Sequence, residues 1–309
     1  SPKNDFFILV KKTVSDFILS LYNEKTQTEF FLTSVKADQA PLVDWSADGN
    51  FIRLIFSTSS QTNLLLMSPF QPSHIQTFSS ADKNYFASQW EQGPFSSGLY
   101  VQDGKSIKKL DGITALDVYT LPTSSAKWYI DSDGLLWINN QDTLKAFRGD
   151  QEIISINITS TETKIVDVNQ QRIILLNEMN DDKMFIWKRA GNIITGPEIL
   201  QTKSFIFDKN RKNILVWNDN ELKNVSEFGD VSLINRFSES LESAGFLTVN
   251  GLVGILTLNG FWGFYQNYYL SQKLFSSETI NSFGINDKRR EIYFLGIING
   301  KRGVWMLEY

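Results

Sequence analysis

The chain has 309 residues, 42 % of them hydrophobic and 13 % aromatic, so it can bury a sizeable core and is not a disordered polymer. Its 30 basic and 34 acidic side chains give a net charge of −4, which argues against a whole-surface nucleic-acid binder. It has no cysteine, which excludes disulfides and thiolate metal sites, and no apolar run reaches the ~18 residues that a membrane helix needs.

Taken in chain order, the predicted elements are all strands, organised around eight polar turns: Lys3-Asn4, Asp48-Gly49, Gly93-Pro94, Asp133-Gly134, Gln170-Gln171, Arg211-Lys212, Asn250-Gly251 and Lys288-Arg289. Neighbouring turns lie roughly 37 to 45 residues apart, the period of propeller blades. Asp-Gly and Asn-Gly predict type I′ hairpins, whose two central residues both need φ > 0. A short strand a precedes each turn, as in Val43-Asp44-Trp45, Phe86-Ala87-Ser88, Trp128-Tyr129-Ile130, Ile165-Val166-Asp167, Phe205-Ile206-Phe207 and Phe246-Leu247-Thr248. A strongly apolar strand b follows, as in residues 51–56, 173–176, 214–217 and 252–256. Strand c comes next, as in residues 64–67, 184–187, 261–265 and 304–307, and a more polar strand d closes the unit, as in residues 74–78 and 231–235. No segment of helical length shows the i, i+3, i+4, i+7 apolar pattern. Continuous apolar b strands fit burial on both faces between stacked sheets.

The fold class expected is therefore all-β, a β-propeller of four-stranded antiparallel blades, eight of them, with seven the alternative. Residues 1–37 read as strands b, c and d, with Ser1-Pro2-Lys3-Asn4 as the tail of a strand a. Residues 280–309 read as a, b and c. One propeller domain over 1–309, excised from a longer chain that supplies the missing edge strands upstream, is the expected organisation.

Val43-Asp44-Trp45-Ser46-Ala47-Asp48-Gly49-Asn50-Phe51 and Ser1-Pro2-Lys3-Asn4-Asp5-Phe6 resemble the strand-a signature of WD-repeat-like propeller units of the TolB type, an apolar strand running into Ser-Pro-Asp-Gly and a second apolar strand. Such repeats also occur at the C-terminal end of anchored bacterial surface proteins, some with PEGA domains. The resemblance implies the propeller fold and an extracytoplasmic or cell-surface bacterial location, with a cytoplasmic one as the alternative; it implies no particular ligand.

Residues that carry chemistry are few. The only histidine, His74, falls on a predicted outer strand, without a Gly-x-Ser-x-Gly elbow anywhere, which reads as a surface position. Asp131-Ser132-Asp133-Gly134 begins like a calcium loop, but Leu135 and Trp137 occupy ligand positions, so no metal site and no cofactor are expected. Asp133, Gly134 and Trp137 instead supply the residue types of an Asp-box, a turn pinned by tryptophan. Glu178, Asp181 and Asp182 form the densest acidic cluster, which serves either as a solvated hairpin loop or as one side of a carboxylate pair for glycoside hydrolysis. Phe261-Trp262-Gly263-Phe264-Tyr265-Gln266-Asn267-Tyr268-Tyr269 is dense in aromatics. Alternation buries about half of such a run, and Tyr268 and Tyr269 are the candidates for ligand contact. Asn157-Ile158-Thr159 and Asn224-Val225-Ser226 fit glycosylation sequons.

Sorting loops by blade face places Asp38, Asp82, Glu178, Asp181, Asp182, Asp219, Glu239, Glu242 and Glu278 on one face. Lys3, Arg148, Lys188, Arg189, Lys209, Arg211, Lys212, Lys288, Arg289 and Arg290 fall on the other. The expected function is a non-enzymatic interaction scaffold that contacts a protein or glycan partner through such loops, with Asp82, Glu178, Asp181, Asp182, Asp219, Tyr268 and Tyr269 as partner-binding candidates. The alternative is a carbohydrate-active propeller enzyme. No specific nucleic acid is expected, a membrane would be met only through an upstream anchor, and the domain is expected to be monomeric.

Overall fold

The computed structural model describes residues 6–80, 87–92, 96–111, 114–140, 142–158, 163–177, 182–208, 211–247, 252–257, 260–265, 270–275, 279–286, 290–298 and 300–308. The described residues form thirty strands and no helix. They build eight antiparallel sheets, six of four strands and, at the two ends of the chain, two of three. This is an eight-bladed β-propeller, and the count decides for eight blades over seven.

The chain forms two compact units, Ser1–Thr159 and Ser160–Tyr309. In the first unit, blade 1 holds β1 (Phe6–Lys12), β2 (Phe17–Asn23) and β3 (Thr28–Val35). Blade 2 holds β4 (Leu42–Trp45), β5 (Ile52–Ser57), β6 (Thr62–Ser68) and β7 (Gln71–Ser80). Blade 3 holds β8 (Ser88–Trp90), β9 (Leu99–Asp103), β10 (Ser106–Asp111) and β11 (Thr114–Thr120). Blade 4 holds β12 (Lys127–Ile130), β13 (Leu136–Asn140), β14 (Thr143–Arg148) and β15 (Gln151–Asn157).

In the second unit, blade 5 holds β16 (Thr163–Val168), β17 (Arg172–Asn177), β18 (Lys183–Ala190) and β19 (Ile193–Gln201). Blade 6 holds β20 (Ser204–Phe207), β21 (Ile214–Trp217), β22 (Glu221–Val225) and β23 (Val231–Arg236). Blade 7 holds β24 (Leu241–Phe246), β25 (Leu252–Thr257), β26 (Gly260–Tyr265) and β27 (Leu270–Phe275). Blade 8 holds β28 (Thr279–Asn286), β29 (Glu291–Ile298) and β30 (Lys301–Glu308). The three-stranded end sheets match the reading of residues 1–37 as b, c, d and of 280–309 as a, b, c.

Two expected a strands shift. Residues 246–248 were expected as strand a of blade 7, but β24 ends at Phe246, and Leu247 follows it with its N–H donated to the Leu252 carbonyl at 2.7 Å. Phe86-Ala87-Ser88 gives way to β8, which starts at Ser88; Phe86 lies outside the described residues.

The b strands carry the cores. Ile214–Trp217 is buried at every position, because alternate side chains enter the packed layers on both faces of the blade. Each apolar cluster is shared by two consecutive blades. Ile107, Trp128, Ile130, Leu136 and Ile138 pack between blades 3 and 4, and Val166, Ile174, Ile186, Ile214 and Val216 between blades 5 and 6. Between blades 7 and 8, Phe261 meets Phe283 and Phe294 edge-on, with centroids 5.1 and 4.9 Å apart. A row of glycines in cross-strand register, Gly245, Gly254 and Gly263, clears this space. A Cβ on Gly254 would come within 2.6 Å of the Phe261 ring.

The two Asp-Gly a–b turns correct the type I′ expectation, while Asn250-Gly251 lies outside the described residues. Gly49 and Gly134 have φ of 69° and 73°, whereas the preceding Asp48 and Asp133 are not among the positive-φ residues. The Gly134 N–H donates to the Asp131 carbonyl at 3.0 Å, and the Asp131 N–H to the Leu135 carbonyl at 3.1 Å. The loop is thus a type I turn completed by a left-handed residue. Its first residue organises it: Asp131 Oδ1 accepts the Asp133 and Leu135 N–H groups at 3.0 and 2.9 Å. Asp208 does the same for Lys212 and Asn213, and Ser46 for Phe51.

Every c–d ladder, from β2–β3 to β26–β27, carries a register irregularity. One extra residue on β3, β11, β15, β23 and β27, and one or more on β7 and β19, twist the outer strands away from a flat, pairing-ready edge.

Candidate functional site

In blade 3 the bulge falls at Val118. Ile107 pairs with Tyr119 but Lys108 pairs with Asp117, so Val118 is the extra residue. Beyond it β11 ends at Thr120, Leu121 turns inward and is almost fully buried, and Pro122 cannot continue a ladder. The outer strand therefore leans off the face of blade 4 and leaves a cleft of about 700 Å³. Residues 117–122 form one wall, Leu136, Ile138 and Asn140 of β13 with Lys145 and Phe147 of β14 the other, and Gly149-Asp150 the end.

The floor is apolar and the rim polar. Leu121, Leu136 and Ile138 are buried, Phe147 is half-buried, and Val118 is 38 % exposed. Asp117, Thr120, Asn140 and Asp150 are exposed. The Tyr119 phenol donates to the Gly134 carbonyl, which ties β11 to the a–b turn of blade 4. Burial, and secondarily the Asp131 carboxylate, raises the Tyr119 pKa, so the phenol stays a neutral donor. Lys145 Nζ is held by Glu152 Oε2 at 2.8 Å, while Asp117 accepts from the Ser106 hydroxyl. Such a cleft can hold apolar side chains on its floor and polar or cationic groups at its rim.

The expected partner-binding residues lie elsewhere. Asp82, Glu178, Asp181, Tyr268 and Tyr269 are outside the described residues. Asp182 is exposed, with φ of 39°, and its carbonyl accepts the Thr202 N–H at 2.9 Å. Asp219 is exposed and pairs with Lys203 at 3.2 Å; Lys203 also reaches Glu242 at 3.8 Å and the Leu241 carbonyl at 3.1 Å. One lysine thus knits the d–a and b–c loops of blades 5 to 7. Cations assigned to the opposite face have acid partners: Lys188 with Asp230, Lys212 with Glu227 and Arg211 with Asp167. His74 lies on β7, an outer strand as expected. Phe261 is core, and Trp262 is half-buried beneath the Lys273 ammonium, 5.6 Å from its ring centroid. Asn224 is 6 % exposed inside β22, so that sequon is closed in the folded chain.

The Asp-box reading selects the wrong aspartate. Trp137 Nε1 donates to Asp131 Oδ2 at 3.0 Å, not to Asp133, because Asp131 ends strand a while Asp133 sits at the solvent-facing turn. Sequence reasoning also misses the fully buried Arg172. Its guanidinium pairs with Asp167 at 2.9 Å and donates to the carbonyls of Arg211, Lys212 and Ser226 at 2.9, 3.0 and 2.6 Å, all on blade 6 or its turns. The one signal for it is a charged residue directly before the apolar run Ile173–Leu176. The cleft itself has no sequence signature beyond Pro122.

No protein-family model matches the chain, and no curated protein matches it. Solved structures do. The β-propeller domain of Cps50 (Swd1) from Myceliophteria thermophila is 10 % identical, with 99 % of this chain and 95 % of that one covered and a TM-score of 0.54. A eukaryotic initiation factor is 10 % identical over 92 % of this chain and 78 % of that one, with a TM-score of 0.54. An oligogalacturonate lyase in complex with manganese is 9 % identical over 99 % and 86 %, with a TM-score of 0.55. At these identities the likeness is one of fold, a β-propeller.

Proposed function

We propose that this protein is a non-enzymatic interaction module, which holds a segment of a protein partner in the cleft between blades 3 and 4. The observation that carries this reading is the cleft's construction, a buried apolar floor of Leu121, Leu136 and Ile138 inside an exposed polar rim, opened by the bulge at Val118. Concave sites with an apolar floor and a few polar groups are where proteins bind ligands, and a rigid sheet scaffold holds such a site in shape. Membership in the TolB-type repeats and a bacterial cell-envelope setting belong to the same proposal and are supported by the resemblance of residues 43–51.

The test is a peptide-display selection against the whole chain, with each enriched peptide then measured against Asn140→Trp. Asn140 is exposed on the cleft wall and alternates with Leu136 and Ile138 on the same face of β13, so the indole would fill the cleft without entering the core. The expected result is at least a tenfold loss of affinity in Asn140→Trp and none in Asp219→Asn. Peptides that bind Asn140→Trp as tightly as the parent would overturn the reading.

A further inference from the structure

We infer that the open edge of blade 8 is an interface between two copies of this chain, with β30 of one paired antiparallel to β30 of the other, an inference that does not rest on the cleft of blades 3 and 4. A dimer then replaces the monomer expected from the sequence. Three observations point to it. First, β30 is the outermost strand of its sheet and, among the described residues, bonds to β29 alone. Its ladder to β29 runs in unbroken register from Ile298↔Lys301 to Glu291↔Glu308, whereas the ladder of each outermost strand in blades 1 to 7 is irregular. It also holds no proline. A strand with neither bulge nor proline keeps its outward N–H and C=O groups in step for another strand.

Second, exposed apolar side chains flank this edge. Val304 is 71 % exposed and Met306 54 %, and Leu295 of β29, directly across from Val304, is exposed as well. Trp305 and Leu307 alternate to the other face, where they pack against the core shared by blades 7 and 8. Apolar side chains beside open backbone groups favour the addition of a strand.

Third, the charges on β30 are self-complementary. The two-fold axis that relates two antiparallel copies of one strand stands normal to the sheet, so a residue can sit opposite only a residue of its own face. Of the registers this allows within β30, one sets opposite charges together. It places Arg302 across from Glu308 of the second copy, and Glu308 across from Arg302 of that copy. In the same register Val304 meets Met306 of the second copy, Gly303 meets its Leu307, and the two Trp305 residues meet at the axis. Within its own sheet Glu308 lies across from Glu291, a like-charge pair that an arginine on its open side would relieve.

The test is sedimentation velocity of the whole chain at concentrations up to about 100 μM, the range that a one-strand interface demands. The parent is expected to form a dimer that dissociates on dilution and weakens as salt rises. Arg302→Glu and Glu308→Arg each set like charges opposite one another at two places, so each alone is expected to weaken the dimer about tenfold or more. An equimolar mixture of the two singly changed chains restores opposite charges at both places and should dimerise like the parent, as should Arg302→Glu/Glu308→Arg. Both positions are exposed, and circular dichroism verifies that the variants fold.

A chain that stays monomeric at every concentration overturns the inference. So does a dimer that the single changes leave intact, or a mixture that dimerises no better than its components, since such a dimer would use another surface.

Discussion

Arg172 and Asp167 form an ion pair that is 0 % and 3 % exposed, with the arginine at the start of one strand and the aspartate near the end of its neighbour. Arg211 of the next blade's turn closes on the other carboxylate oxygen at 3.1 Å and lies over the Phe207 ring at 3.8 Å. A buried pair contributes little relative to an apolar replacement, but removing one partner strands a charge. Asp167→Ala is therefore expected to destabilise the protein by about 3–5 kcal/mol in urea unfolding. Asp167→Ala/Arg172→Met should be less destabilised than the sum of the single changes, by about 1–3 kcal/mol. Strict additivity would show that the two residues act separately.

Asp131 serves three donors, the N–H groups of Asp133 and Leu135 and the Trp137 indole. Trp137→Phe removes one of them and is expected to cost about 1–2 kcal/mol. Asp131→Ala leaves all three without this acceptor and should cost more, and more than Asp133→Ala, since Asp133 sits at the solvent-facing turn. Thermal unfolding of the three variants checks the order.

Gly254 faces the Phe261 ring and Leu247, which a Cβ would approach to 2.6 and 2.9 Å. Gly254→Ala is expected to destabilise by about 1–3 kcal/mol through overpacking. Gly284→Ala is the control on the adjacent blade, where an added Cβ meets nothing within 4 Å. Equal effects at both positions would mean that the glycine row does not set the packing.

Glu91 and Lys109 pair on blade 3, and their folded-state ionisation is linked to stability. Burial works against the Glu91 charge, but the Lys109 ammonium and Ser96 hydroxyl outweigh it and hold its pKa below the usual 4.5. The hydrogen bond to Glu91 likewise holds Lys109 above the usual 10.5. The glutamate's contribution is present above 4.5 and is lost as pH falls through its lowered value; the lysine's is present below 10.5 and is lost as pH rises through its raised value. Both groups are about one-third exposed, so screening limits the effect to less than about 1 kcal/mol. The gap in melting temperature between the parent and Glu91→Gln should be largest near neutral pH and close well below 4.5. A gap independent of pH would remove the pair from the account.

Some of this was legible in the residues and some was not. Runs such as Ile173–Leu176 announce strands buried on both faces, and the near-constant turn spacing announces repetition, so eight blades and their three-stranded end sheets could be read directly. Among the described residues, the turns at Asp48-Gly49, Asp133-Gly134, Gln170-Gln171 and Arg211-Lys212 fall where expected, but the two Asp-Gly turns were mistyped, because Asp131 and Ser46 act through side-chain bonds to nitrogens two to five residues on, which no hydrophobic period reports. The role of Arg172 was not legible, since its acceptors lie 39 to 54 residues away in sequence. The cleft depends on a one-residue slip at Val118, and a slip leaves the composition of β11 unchanged. Candidates chosen for charge lie away from the cleft: Asp219 joins the Lys203 tie, and the Asp182 carbonyl accepts the Thr202 N–H.

Four clasps between blades share a direction and a reach. Arg53 donates forward to Ser88, 35 residues on; Gln89 to Ile130, 41 on; Arg172 to Lys212, 40 on; and Lys203 to Leu241, 38 on. None of these four needs more than one further repeat to exist. A chain emerging from the ribosome could therefore latch each newly completed blade onto the one before it, so that assembly proceeds vectorially and exposed blade faces stay short-lived during synthesis.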